Sequence, residues 1–95
     1  MAKVLYQQLW SVYIAQCSDK TLDVGIAIDV KKRIKEHNTT NKCRYTRYRK
    51  PLQLIYSEEN ADYSSARKRE SQIKKYRREK KLSLAETEYL KDISP

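Results

Sequence analysis

The sequence predicts a small α/β protein of the α+β type, in which a β-hairpin runs into a helix and is followed by a third strand and a long helix. Three observations carry that expectation. The stretches "LWSVYIAQC" and "TLDVGIA" alternate with the two-residue period of strands and are separated by "SDK". "VKKRIKEHN" and "ARKRESQIKKY" carry apolar residues at helical spacing instead. Between them lies "PLQLIYS", a short apolar run read as a strand with Pro51 at its first position, where proline is tolerated.

The hairpin comes first. Trp10, Val12 and Ile14 share one face of the first strand, with Ser11, Tyr13 and Ala15 on the other. In the second, Leu22, Val24 and Ile26 share a face, opposite Asp23, Gly25 and Ala27. For both apolar sets to enter one core, even-numbered residues must pair with even-numbered ones, which requires an odd-length connection. Residues 18–20 supply a three-residue turn of turn formers. Cys17 then opposes Thr21 and Tyr13 opposes Gly25, with Asp23 the diagonal neighbour of Tyr13 on the face away from the core. Asp23 fits badly there, because aspartate is disfavoured inside a strand.

Asp29 is a good N-cap for the first helix, whose apolar stripe is Val30 and Ile34 and whose exit begins at Asn38. Arg33 and His37, four apart, lie on one strip of it. Residues 39–50 form a polar, basic connection before the third strand. The long helix starts near Ser64, with Ala66, Ile73 and Tyr76 as its stripe and Glu70 on the same side. A carboxylate on the inward side of a cationic helix is unusual. "SLAE" at 83–86 reads as a capping box opening a C-terminal helix to about residue 92.

With 95 residues and no internal repeat, the chain is expected to form a single domain with one modest core. No apolar run approaches a membrane span and the N-terminus lacks a signal-peptide pattern, so a cytoplasmic protein is expected. Cys17 and Cys43 are too few for a disulfide framework and, with His37, lack the fourth ligand and the spacing of a zinc site.

The net charge of +9 is unevenly placed. Residues 31–50 carry nine Lys/Arg and one Glu, and residues 67–81 carry nine against two, so the remainder is net −6. Two dense basic segments on a background of opposite sign point to a polyanion partner. Solvated helix faces are the plainer alternative. Tyr45 and Tyr48, interleaved in "CRYTRYRK", offer stacking surfaces for unpaired bases or serve as packing residues.

In order along the chain, "SVY", "DVG", "KKRIKEHN", "YT", "PLQLIYSE" and "ARKRESQIKK" resemble the GIY-YIG nuclease domain, over roughly residues 10–82. The likeness is to small single-domain bacterial members, related to the nuclease module of the nucleotide-excision DNA-repair protein UvrC. It implies a three-stranded antiparallel sheet flanked by helices and cleavage of phosphodiester bonds with a divalent metal, Mg²⁺ or alternatively Mn²⁺. By position it implies catalytic roles for Tyr13, Arg33, His37 and Tyr45, and metal binding by Glu70. Ser11 stands where the first motif has its glycine, and Gly25 matches the glycine of the second. Asp23 stands where the second motif would have its tyrosine. The basic residues Lys32, Arg44, Arg47, Arg49, Lys74 and Arg77 are the expected contacts to nucleic acid, DNA before RNA.

The residue types suit that chemistry. One carboxylate, with waters and phosphate oxygens, is a normal shell for Mg²⁺. A guanidinium offsets charge developing on phosphate. Tyr13 is expected to orient or deprotonate the attacking water; a phenol, with an ordinary pKa near 10, needs a nearby cation to act as a base, and His37 is the alternative acceptor. Each residue has a plainer use as a strand aromatic, surface cation, helix cap or intrahelical pair. Asp23 adds negative charge beside a phosphate site. At about 4 Å and an effective dielectric near 20 that is roughly 4 kcal/mol, or about three powers of ten in rate as an upper bound. Two outcomes follow: an active endonuclease in which Asp23 reaches the metal, or a weakened or inactive nucleic-acid-binding module of the same fold.

Overall fold

The computed structural model describes residues 8–40 and 48–93. The elements run β1 (Trp10–Gln16), β2 (Leu22–Ala27), α1 (Val30–Thr39), β3 (Gln53–Asn60), α2 (Tyr63–Lys74) and α3 (Arg78–Ile93). The three strands form one antiparallel sheet in the order β2-β1-β3, with β1 central.

The hairpin has the register that parity requires: Val12 opposes Ile26, Ile14 opposes Val24 and Tyr13 opposes Gly25. Its turn closes with Cys17 N donating to Thr21 O at 2.9 Å, while Asp19 Oδ1 accepts from Thr21 N and Oγ. Lys20 adopts φ 73°, the left-handed residue that a three-residue hairpin loop needs before the chain rejoins the strand.

Both faces of the sheet are covered, which the single-core expectation missed. Val12, Ile14 and Val24 pack with Ala66 and Ile73 of α2. Tyr13, Ala15, Cys17 and Ala27 pack with Ile34 of α1 and with Leu52. The Tyr13 face is therefore a second core, and Tyr13 itself is only 2% exposed. A bulge between Ile14 and Ala15 in the β1–β3 pairing serves both cores: Ile14 opposes Tyr56, whereas Ala15 opposes Leu54, skipping Ile55. Leu54 thus joins the α1 side, while Ile55 and Tyr56 join the α2 side.

The helix starts are local. Asp29 Oδ1 accepts from Lys32 N at 3.1 Å, and Asp62 Oδ1 accepts from Ser65 N at 2.8 Å. Asn38 fastens the end of α1 to the start of β3, donating from Nδ2 to Leu52 O and accepting from Leu52 N. The long helix stops at Lys74, so Tyr76 lies beyond it yet still packs on the α2-side core. The last helix corrects the expectation of a start at residues 83–86. It begins at Arg78, and Lys80 N and Lys81 N both bond to Arg77 O. Ser83 is inside the helix, and Leu84 packs on the core one residue later. The capping-box pattern there is coincidental. None of the described helices is long and apolar enough to cross a membrane.

Candidate active site

A groove of about 650 Å³ lies between α1 and α2 at the open end of β2, lined by Trp10, Ile26, Ile28, Lys32, Arg33, Tyr63, Arg67 and Glu70 among others. Arg33 reaches it from α1, where an exposed position leaves the guanidinium at the rim. It is held only loosely, 4.0 Å from Glu36 one turn on. Glu70 reaches the groove from α2. Its place beside the inward stripe of Ala66 and Ile73 leaves the side chain only 14% exposed. Its two carboxylate oxygens stand 3.6 Å from Arg67 and 3.3 Å from Lys74, longer than a tight charge-assisted hydrogen bond.

Asp23 enters from β2, the edge strand, and lines a second hollow with Leu22, Val24, Lys74 and Lys81. The Lys74–Glu70 pair joins the two hollows. Burial pushes the Asp23 carboxyl above its ordinary pKa. His37, Lys74 and Arg33 pull it back, and the negative Glu70 adds to the rise. Burial pushes the His37 imidazole down, with Asp23 opposing and Arg33 assisting. His37 is buried while Arg33, one turn earlier on α1, is exposed, so the strip they share runs from the core to the rim.

Tyr13 lies behind this set rather than in the groove. Its ring covers Gly25: a Cβ built there would stand 2.6 Å from the Tyr13 hydroxyl and 2.8 Å from Cζ. Only glycine admits that approach without moving the buried phenol. Asp23, two residues before Gly25 on the same strand face, is the diagonal neighbour of Tyr13, as the register requires.

The structure therefore gathers Arg33 and Glu70 at one groove, with Lys32 beside them, and sets Asp23, His37 and Lys74 within their electrostatic reach. Arg49 stands apart at the hairpin turn, 3.6 Å from Asp19, with its carbonyl accepting from Ser18 N. Arg77 lies exposed between α2 and α3. Tyr45, Arg44 and Arg47 lie outside the described residues. Trp10, Tyr63 and Arg67 line the groove without having been singled out. Arg67 carried a signal, one helical turn before Glu70, whereas Trp10 read as an ordinary core residue.

Oxygen ligands suit a hard divalent cation, and the donors here are of that kind: Glu70, with Asp23 as a second carboxylate in its field. Among the described residues no three metal-ligating side chains cluster, so an ion here would draw the rest of its shell from water and phosphate. The residues fit Mg²⁺ better than a thiolate- or imidazole-seeking metal.

Comparison with known proteins identifies the family. The GIY-YIG catalytic domain profile matches residues 9–83. A UPF0213 protein of Haloquadratum walsbyi is 48% identical over 75 residues, covering 79% of this chain and 84% of the relative. A UPF0213 protein of Staphylococcus aureus is 47% identical over 73 residues, covering 77% and 89%. Among solved structures, the solution NMR structure of a UPF0213 protein from Bacillus halodurans superposes with a TM-score of 0.53 at 32% identity, covering 83% of this chain and 84% of that one. With the GIY-YIG profile spanning most of its length and relatives nearly half identical over more than three quarters of it, the chain belongs to the GIY-YIG nuclease family, among its small UPF0213 proteins.

Proposed function

We propose that this protein is a metal-dependent endonuclease that hydrolyses phosphodiester bonds in nucleic acid, with DNA the first substrate to test. The observation that carries the reading is the meeting of Arg33 from α1 and Glu70 from α2 at one groove, with Asp23 of β2 in the field of both. Glu70, alone or with Asp23, is the residue to hold Mg²⁺ or Mn²⁺. Such an ion, when bound, stabilises charge on the phosphate and the leaving oxygen. Arg33 supplies a forked, permanently charged donor to the phosphate oxygens. Tyr13 is the residue to orient or deprotonate the attacking water, with His37, held toward its neutral form by burial, as the alternative proton acceptor. Lys32 and Lys74 flank the scissile position, with Arg44, Arg47, Arg49, Arg77 and Tyr45 as further contacts to the strand.

A second reading is favoured by Asp23 itself. Its carboxylate adds negative charge beside the groove, offset only in part by His37, Lys74 and Arg33, so a module that binds nucleic acid and cuts it weakly or not at all is the alternative. A Mg²⁺-dependent nicking assay on single- and double-stranded DNA separates the two. Wild type is expected to cut, and Glu70→Ala to lose at least about 100-fold. Equal metal-independent background in wild type and Glu70→Ala would remove the enzyme reading. Salt-dependent binding without cutting, together with a gain of cutting in Asp23→Tyr, would establish the weakened module and identify the carboxylate as its cause.

A further inference from the structure

The groove also holds groups that phosphate chemistry does not use. Trp10, which opens β1, and Tyr63, which opens α2, meet with ring centroids 4.8 Å apart and planes at 72°. Tyr63 is 46% exposed, and so is Ile28, which lines the same groove. Arg67 lies 5.8 Å from the centre of the Tyr63 ring and donates from Nη1 to its hydroxyl at 2.9 Å. The result is a fixed aromatic surface facing the groove in which Arg33 and Glu70 stand.

Charge alone does not make this groove a strong phosphate trap. Its cations Lys32, Arg33 and Arg67 are matched by the carboxylates Asp29, Glu36 and Glu70. Recognition here must draw on the aromatic surface as well. We propose that the Tyr63 ring, braced edge-on by Trp10, forms a shelf on which the base of an unpaired nucleotide stacks beside the scissile phosphate. The substrate is then a nucleic acid with a single-stranded segment at the cleavage position rather than continuous duplex. Bases inside a duplex present no free face to such a shelf, whereas an unpaired base stacks on any aromatic ring. The place of the phosphate rests on the nuclease reading; the stacking does not.

The chain has one tryptophan, so its fluorescence reports on the shelf directly. The intact protein, in EDTA, is titrated with a short oligodeoxyuridylate, an oligouridylate of equal length, an abasic strand of equal length and a blunt duplex. Saturable quenching is expected with the two base-bearing strands and not with the abasic strand or the duplex. The tighter of the two identifies the sugar. Tyr63→Ala is expected to weaken base-bearing strands about tenfold without changing abasic binding, and Tyr63→Phe to restore the affinity. Equal quenching by abasic and base-bearing strands, or unchanged affinity in Tyr63→Ala, overturns the proposal. Because no cleavage is measured, failure of Mg²⁺-dependent cutting leaves this result intact, and failure of stacking leaves the nuclease reading intact.

Discussion

Two carboxylates, one on β3 facing α2 and one on α2 itself, differ in how they are held. Glu58 of β3 sits in a closed network. Its Oε2 accepts from Arg69 Nε at 2.8 Å and its Oε1 from the Tyr56 hydroxyl at 2.5 Å, while Arg69 Nη1 donates on to Gln72 at 2.7 Å and Tyr76 at 3.3 Å. Glu70, the residue next to Arg69, meets its cations at 3.3 and 3.6 Å beside an open groove. Adjacent positions on one helix thus serve opposite ends. The first network is satisfied and directional, which suits a fixed joint between α2 and β3. The second keeps a negative charge available at low cost, which suits a group that must exchange its partners for an ion.

The sharpest way to break this comparison is to truncate each carboxylate. Glu58→Ala is expected to cost about 2 kcal/mol in urea denaturation, since charged hydrogen bonds are lost and Arg69 is left half-buried, while the folded protein keeps its Mg²⁺-dependent cutting. Glu70→Ala is expected to change stability by less than about 0.5 kcal/mol, because its partners are exposed, and to lose the cutting. Equal effects of the two on stability would show that both are structural.

Next in size is Gly25→Ala. The added methyl group meets the Tyr13 ring against a packed second core, so a loss of about 1–3 kcal/mol is expected, read as a lower midpoint of thermal unfolding. In a Tyr13→Ala background the further loss from Gly25→Ala should be smaller, because the ring it meets is gone.

The two sides also titrate in opposite senses. Although burial works against the Glu58 carboxylate, its bonds from Arg69 and Tyr56 hold it below the ordinary pKa. Its contribution is therefore present above about pH 4.3 and lost as pH falls further. Asp23 is raised instead, so the native state favours its protonated form and the cost of ionising it appears as pH rises from about 3.9. Asp23→Asn, measured in EDTA, should match wild type in stability near pH 3 and exceed it at pH 7. A gap that closes toward pH 7 would place the Asp23 carboxylate in a stabilising pair.

The smallest effect is alkaline. Burial and the bond to Glu58 push the Tyr56 phenol up to about 12. Stability should hold to about pH 10, the ordinary value for a phenol, and fall from there toward 12. Tyr56→Phe should flatten that limb, read by far-ultraviolet circular dichroism against phenolate absorbance.

What the sequence determined by itself is what depends on short-range rules. Strand period and an odd-length turn placed Tyr13 opposite Gly25 and next to Asp23. Asp29 marked the start of α1 because an N-cap needs only its own first turn. Spacing put Glu70 with Ala66 and Ile73. What only the tertiary structure decided is which surfaces meet. Alternation shows that Tyr13 and Val12 face opposite ways, but not that α1 closes over the Tyr13 side and makes it a second core. The skipped Ile55, the early start of α3 and the Trp10–Tyr63 contact have the same origin. Each depends on elements distant in sequence competing to cover apolar area, and that burial is non-directional: it sets how much surface is hidden, while the packing of whole elements sets which partner hides it.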